Sequence, residues 1–142
     1  MALRPNQVIT STTPPSPCVL TKVVQVARTD TTAFEAFILP KGAVVAGAYV
    51  MGAVASDAAT TAIIDVGTNP GTADEIVDSF SVKTNGLGYH AIGSAGGSAN
   101  GSQLTADTLY KARYAETGTA SSTGGPWLVK VEYYMPQQGY SF

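Results

Sequence analysis

His90 is the only histidine and Cys18 the only cysteine among 142 residues, so the commonest bases and nucleophiles are almost missing. A general base needs a group that orients or activates it, and nothing near His90 in sequence has that character. Serines are frequent, yet none stands in a Gly-x-Ser-x-Gly elbow. Cys18 follows Pro17 in a Pro-rich lead-in, a poor place to pre-organise a thiolate. His90 thus reads as a loop or strand-edge residue, and the chain as a non-enzyme with no catalytic residue.

Two further patterns invite a ligand. Asp57, Asp65, Asp74, Glu75 and Asp78 lie between Gly42 and Val82 with no Lys or Arg among them. Calcium favours such oxygen ligands, but the Asp-x-Asp-x-Asp-Gly spacing of a calcium loop is absent. These carboxylates read instead as a solvated acidic edge, with Asp74, Glu75 and Asp78 suited to the first turn of a short helix at 73–77. The second pattern is Ala95-Gly96-Gly97-Ser98-Ala99-Asn100-Gly101. It has no Lys-Ser/Thr after it and no helix pattern behind it, so it is a loop and not a phosphate cradle. A lone cysteine excludes an internal disulfide and a multi-cysteine zinc site. No metal and no cofactor is expected.

The composition bears on partners. Only 13% of residues are charged, whereas about 25% is ordinary for a globular domain. Ala, Gly, Ser and Thr make up 63 of the 142. A protein that lives packed in an assembly needs less surface charge than one that stays dissolved. The net charge is −2 and the eight Lys and Arg are scattered, which argues against a nucleic-acid partner. No apolar run approaches the roughly 18 residues of a membrane span, and the N-terminus lacks the apolar core of a secretory signal. One cysteine fits a reducing compartment.

The elements that would carry these residues are strands. In 127–135, Trp127, Val129, Val131, Tyr133 and Met135 share one face, and Lys130 and Glu132 the other. Tyr110, Ala112 and Tyr114 alternate with Lys111 and Arg113 over 108–115. Ala62, Ile64 and Val66 alternate with Ile63 and Asp65, and Phe80 and Val82 with Ser79, Ser81 and Lys83. Earlier strands are expected at 20–28 and 33–39. The run 44–54, VVAGAYVMGAV, is apolar on both faces, so it is covered on both sides or faces a partner. Gly47 and Gly52 there predict a bulge or a close backbone approach. Turns fall at Pro40-Lys41-Gly42, Asn69-Pro70-Gly71 and Asn85-Gly86, with longer loops at 94–102 and 116–125. Seven to nine short strands predict an all-β β-sandwich at 19–142, a jelly roll first and an immunoglobulin-like sandwich second. Residues 1–18 read as an extended arm, because Pro14, Pro15 and Pro17 favour a polyproline-like backbone.

With no chemistry to place, the candidate functional residues are partner-binding ones. They are Pro14, Pro15 and Pro17 on the arm, Val45, Tyr49 and Met51 on the two-sided strand, and Tyr140 and Phe142 on the C-terminal tail. Trp127 and Tyr133 are assigned to the core and Tyr134 to the outside. A carbohydrate-binding or host-recognition module of a fibre or tail is the alternative, and it requires exposed aromatics.

The stretch 37–82 contains LPKGAVV, an apolar strand, IIDVGT and ADEIVDSFSV in succession. In this third of the chain the sequence resembles the capsid cement or decoration proteins of tailed bacteriophages. The resemblance implies a jelly-roll domain on the outside of the shell, bridging major capsid protein subunits, as a homo-oligomer with a dimer favoured and a trimer as the alternative. It carries over no individual binding residue.

Overall fold

The computed structural model describes residues 19–83, the backbone of 88–90, and residues 103–135. The arm with Pro14, Pro15, Pro17 and Cys18, the Asn85-Gly86 turn, the 94–102 loop and the tail with Tyr140 and Phe142 lie outside the described residues. Eight strands are present among the rest: β1 (Val19–Val26), β2 (Phe34–Leu39), β3 (Val44–Met51), β4 (Thr61–Gly67), β5 (Val77–Ser81), β6 (Gly88–His90), β7 (Thr108–Thr117) and β8 (Trp127–Tyr134). They form two antiparallel four-stranded sheets, ordered β1-β8-β3-β6 and β2-β7-β4-β5.

That order is a jelly roll. β1 pairs with β8, β2 with β7, β3 with β6 and β4 with β5, as in one long hairpin folded from both ends. The seams β3–β8 and β4–β7 then roll the hairpin into two sheets. Only β4 and β5 are both consecutive and neighbours in one sheet; every other connection crosses the sandwich.

Alternation sets the core. β8 buries Trp127, Val129, Val131 and Tyr133, and β7 buries Tyr110, Ala112 and Tyr114 against them from the opposite sheet. Small residues, Ala48, Ala62 and Ala112, are fully buried among the large rings and make room for them. Tyr114 and Trp127 stack across the sandwich with ring centroids 5.5 Å apart and planes 9° from parallel. Phe37 and Tyr110 are register partners on the second sheet, with ring centroids also 5.5 Å apart.

β3 shows why 44–54 looked apolar on both sides. It lies between β8 and β6, with Val45, Ala48 and Val50 in the core and Tyr49 and Met51 half-buried on the outer face. Its pairing with β8 carries a bulge between Val45 and Gly47. The strand stops at Met51 because the backbone at Gly52 passes directly over Trp127. A Cβ there would overlap Cδ1 of the indole and lie 3.2 Å from Cγ.

The segment around 73–77 is not a helical turn. Ala73 pairs with Asn69, the Ile76 N–H donates to the Val66 carbonyl, and Val77 opens β5. Backbone already committed to the β4 ladder cannot close i to i+4 bonds, so the helix expectation fails on non-local grounds.

Candidate docking face

The described residues contain several groups of polar side chains, and each has a structural task. The Tyr114 hydroxyl donates to Glu116 Oε2 at 2.6 Å and sits 2.7 Å from Ser56 Oγ. Glu116 in turn accepts from the Ser121 N–H, and Ser56 Oγ from the Ala58 N–H. Burial of the phenol and its bond to the Glu116 carboxylate both push the Tyr114 pKa up, while that bond lowers the Glu116 pKa. Ser56 and Ser121 are buried, at 4% and 7% exposure, so neither hydroxyl is presented to a substrate. The cluster ties the 52–60 loop to the 118–126 loop at one end of the sandwich. His90 lies on β6, an edge strand of its sheet.

The acidic residues are not a solvated edge throughout. Asp65 is 1% exposed and faces Arg113 across the β4–β7 ladder. Arg113 Nε and Nη2 lie 3.0 and 2.9 Å from Asp65 Oδ2, and the Ser79 N–H donates to Oδ1 at 2.8 Å. Asp74 and Asp78 bring carboxylate oxygens to within 4.8 Å of Asp65 and of each other. Desolvation, then the charges of Asp65 and Asp78, push the Asp74 pKa up. The other carboxylates hold turns: Asp74 accepts from the Gly71 N–H, and Glu75 from the N–H and hydroxyl of Thr68.

Ile64 and Val66 point into the core, so Asp65 lies on the outer face of its sheet, yet it is buried. The 68–76 connection folds over that face, bringing Gly71 against the Arg113 guanidinium and the Asp74 backbone against Gly67. The part of the β2-β7-β4-β5 sheet around Asp65 and Arg113 is therefore covered by its own chain, while Ile38 on β2 stays 54% exposed.

Among the described residues, the outer face of the β1-β8-β3 strands has no such cover. The registers arrange it in rows: Gln25, Leu128 and Met51; Val23, Lys130 and Tyr49; Thr21, Glu132 and Gly47; Val19, Tyr134 and Val44. Val23 is 56% exposed, Val19 47% and Leu128 41%. One lysine and one glutamate occupy the centre and neutralise each other, with Lys130 Nζ 3.3 Å from Glu132 Oε1 and 5.4 Å from the centre of the Tyr49 ring. The result is a net-neutral, largely apolar surface. At one end Gln25, Met51, Gly52, Ala53, Pro126 and Leu128 line a shallow depression of about 450 Å³.

Of the partner-binding candidates, Tyr49 and Met51 meet on this face. Val45, two positions before Gly47 on β3, is 2% exposed and belongs to the core, because the bulge after it reverses the simple alternation. The sequence reading missed Val19, Val23 and Leu128. Their signal was present: each is apolar on the solvent side of a strand whose other face is already apolar. Trp127 is fully buried and Tyr133 7% exposed, so neither ring is offered to a sugar.

No family model and no curated protein matches the sequence. Solved structures that share the fold include two chains from phage capsids. A chain of the cyanophage Pam1 capsid asymmetric unit aligns with a TM-score of 0.61 and 22% identity, over 87% of this chain and 91% of its own. A chain of the acid-stable capsid structure of Helicobacter pylori bacteriophage KHP30 aligns with a TM-score of 0.54 and 11% identity, over 86% and 95%. At these identities the likeness establishes that the chain has the fold of chains found in phage capsids.

Proposed function

We propose that the chain is a structural virion protein that cements or decorates the outside of an icosahedral phage capsid. It would bind across major capsid protein subunits through the outer face of the β1-β8-β3 strands, without catalysis, cofactor or nucleic acid, and would act as a homo-oligomer, a dimer before a trimer. The observation that carries this reading is the outer face of the β1-β8-β3 strands, where Val19, Val23 and Leu128 stand exposed around one paired lysine and glutamate. The near full-length match to phage capsid chains and the low charge content support it.

The work done would be physical. A protein that binds the assembled shell better than its free subunits stabilises the shell by mass action. Many copies on a symmetric lattice add up even when each interface is modest. The arm at 1–18 would lengthen the reach across a subunit boundary.

The test mixes purified protein with shells that lack it and measures binding and shell melting. Bound protein with a raised melting temperature is the expected result. The doubly substituted Met51→Glu, Leu128→Glu protein should keep its own melting temperature and lose shell binding, because the two side chains are register partners on the open face. Absence of wild-type binding would refute the cement role. Undiminished binding by the double variant would refute the face.

A further inference from the structure

We infer that β1 is a self-pairing edge, and that two copies of the chain join β1 to β1, antiparallel about a two-fold axis at Val23. This deepens the homo-oligomer part of the proposal above, and free protein tests it without any shell.

Each sheet has two edge strands, and three of the four are blunted. β2 carries a bulge between Glu35 and Phe37, with the Glu35 carboxylate exposed. β5 pairs with β4 through a bulge, and Ser79 within it has a φ of 56°. β6 has three residues. Bulges, charge and shortness are the ordinary means of stopping one sheet edge from pairing with another. β1 is neither short nor bulged. Its eight residues pair with β8 in one uninterrupted register from Val19↔Tyr134 to Val26↔Trp127, and Lys22 is its single charge. Every second residue of such a strand turns its N–H and C=O to the open side, where no described residue pairs with it.

The sequence of β1 selects a second copy as the occupant. Opposed residues must lie on the same face, so odd positions meet odd and even meet even. Centring the axis on Lys22 sets two ammonium groups against each other. Centring it on Val23 removes that clash and matches the remaining residues: Val23 opposite Val23, Thr21 opposite Gln25, Lys22 opposite Val24, and Leu20 opposite Val26. Val23 is 56% exposed, the most of the large apolar side chains among the described residues, and Leu20 is 39% exposed. Pairing covers both.

The axis is perpendicular to the sheet, so the two open faces merge on the same side. The row Tyr49, Lys130, Val23 of one copy then continues into Val23, Lys130, Tyr49 of the other. The dimer becomes an eight-stranded platform with two docking faces aimed at one surface, an arrangement that converts modest single contacts into avidity. Edge pairing buries less than the about 1,600 Å² of a standard stable interface, so the association is concentration-dependent in free solution.

Disulfide trapping tests this directly. In a Cys18→Ser background, Val23→Cys should cross-link into covalent dimers under mild oxidation, because opposed Cα atoms in antiparallel strands lie about 4.5 to 5.5 Å apart, within disulfide range. Ile38→Cys, on β2 and 54% exposed, should not. Val23→Glu should be monomeric by sedimentation equilibrium at concentrations where wild type associates. Its fold should survive, because Val23 faces Lys130 and a glutamate there meets a lysine within its own chain. Mixing Val23→Glu with Val23→Lys should restore dimers. Cross-linking at position 23 no faster than at position 38, or wild-type association by Val23→Glu, would overturn the inference. So would an edge filled by the 1–18 arm of a neighbour, which gives no bridge between the two positions 23. Failure of shell binding with trapping intact would count against the cement role alone.

Discussion

Replacing Arg113 by Met probes the one fully buried carboxylate in the described structure. Asp65 is 1% exposed, and the Arg113 side chain 30%. Removing the arginine strips both charged donors from Asp65 Oδ2 and leaves the carboxylate with the Ser79 N–H on Oδ1. Breaking a buried pair from the cationic side costs about 3–5 kcal/mol. The lower end applies here, because one oxygen keeps its donor and the pair sits beneath a surface turn. The reverse change, Asp65→Asn, is milder at about 1–2 kcal/mol: the amide oxygen still accepts from Ser79, and the guanidinium turns its exposed side to water. At roughly 3 °C per kcal/mol for a chain of this size, Arg113→Met should lower the melting temperature by about 9 °C, and Asp65→Asn by about 3–6 °C. The double variant should cost less than the sum, since each side chain is the other's main unmet need. Urea denaturation at low protein concentration, with the slope checked for constancy, reads all three. The pair lies on the sheet opposite the docking face, so shell binding below the melting temperature should be unchanged. The reasoning is refuted if Arg113→Met costs no more than Asp65→Asn.

Two other perturbations test the loop end of the sandwich. Gly52→Ala drives a methyl into the Trp127 indole, and overpacking of this kind costs about 1–3 kcal/mol, read as a melting temperature lower by about 3–9 °C. Acid should loosen the 118–126 loop: bonds from the Ser122 hydroxyl and the Ser122 and Thr123 amides lower the Asp57 pKa to about 2, from 3.8. A depressed folded-state pKa adds stability above pH 4 that is lost as pH falls through about 2, so the protection factors of the amides at 122 and 123, corrected for intrinsic exchange, should fall over that window, and Asp57→Asn should flatten the response.

Much of this architecture was legible because the alternation is local. β7 and β8 announce their inner faces residue by residue, and Gly52 marks a close approach that Trp127 then fills. Three features were not legible, each for a non-local reason. Asp65 between Ile64 and Val66 reads as an outward polar residue; its burial comes from a connection that starts after the strand ends and folds back over it. The 73–77 segment has the acidic opening of a helix, but its backbone is claimed by Val66 and Asn69. The edge position of β1 follows only from the nested pairing, since nothing in VLTKVVQV distinguishes an edge strand from a central one.

The charge economy of the chain has a structural cause that joins these observations. There are ten Asp and Glu, and nine bind a group elsewhere in the chain. Asp30 holds the Ala27 N–H, Asp107 the Lys41 N–H, Asp78 the Ser79 hydroxyl, and Glu132 the Lys130 ammonium. Asp57, Asp65, Asp74, Glu75 and Glu116 hold the turns and the ion pair described above. Sandwich connections must satisfy their backbone N–H groups without a ladder, and a carboxylate does so more strongly than a neutral acceptor. The few charges therefore rigidify the ends of the strands, and Ala, Ser, Thr and Val are left to form much of the surface. A surface of that kind carries little hydration to strip away, which lowers the desolvation cost of covering it. The same allocation that fixes the loops of the jelly roll leaves one paired lysine and glutamate on the outer face of the β1-β8-β3 strands.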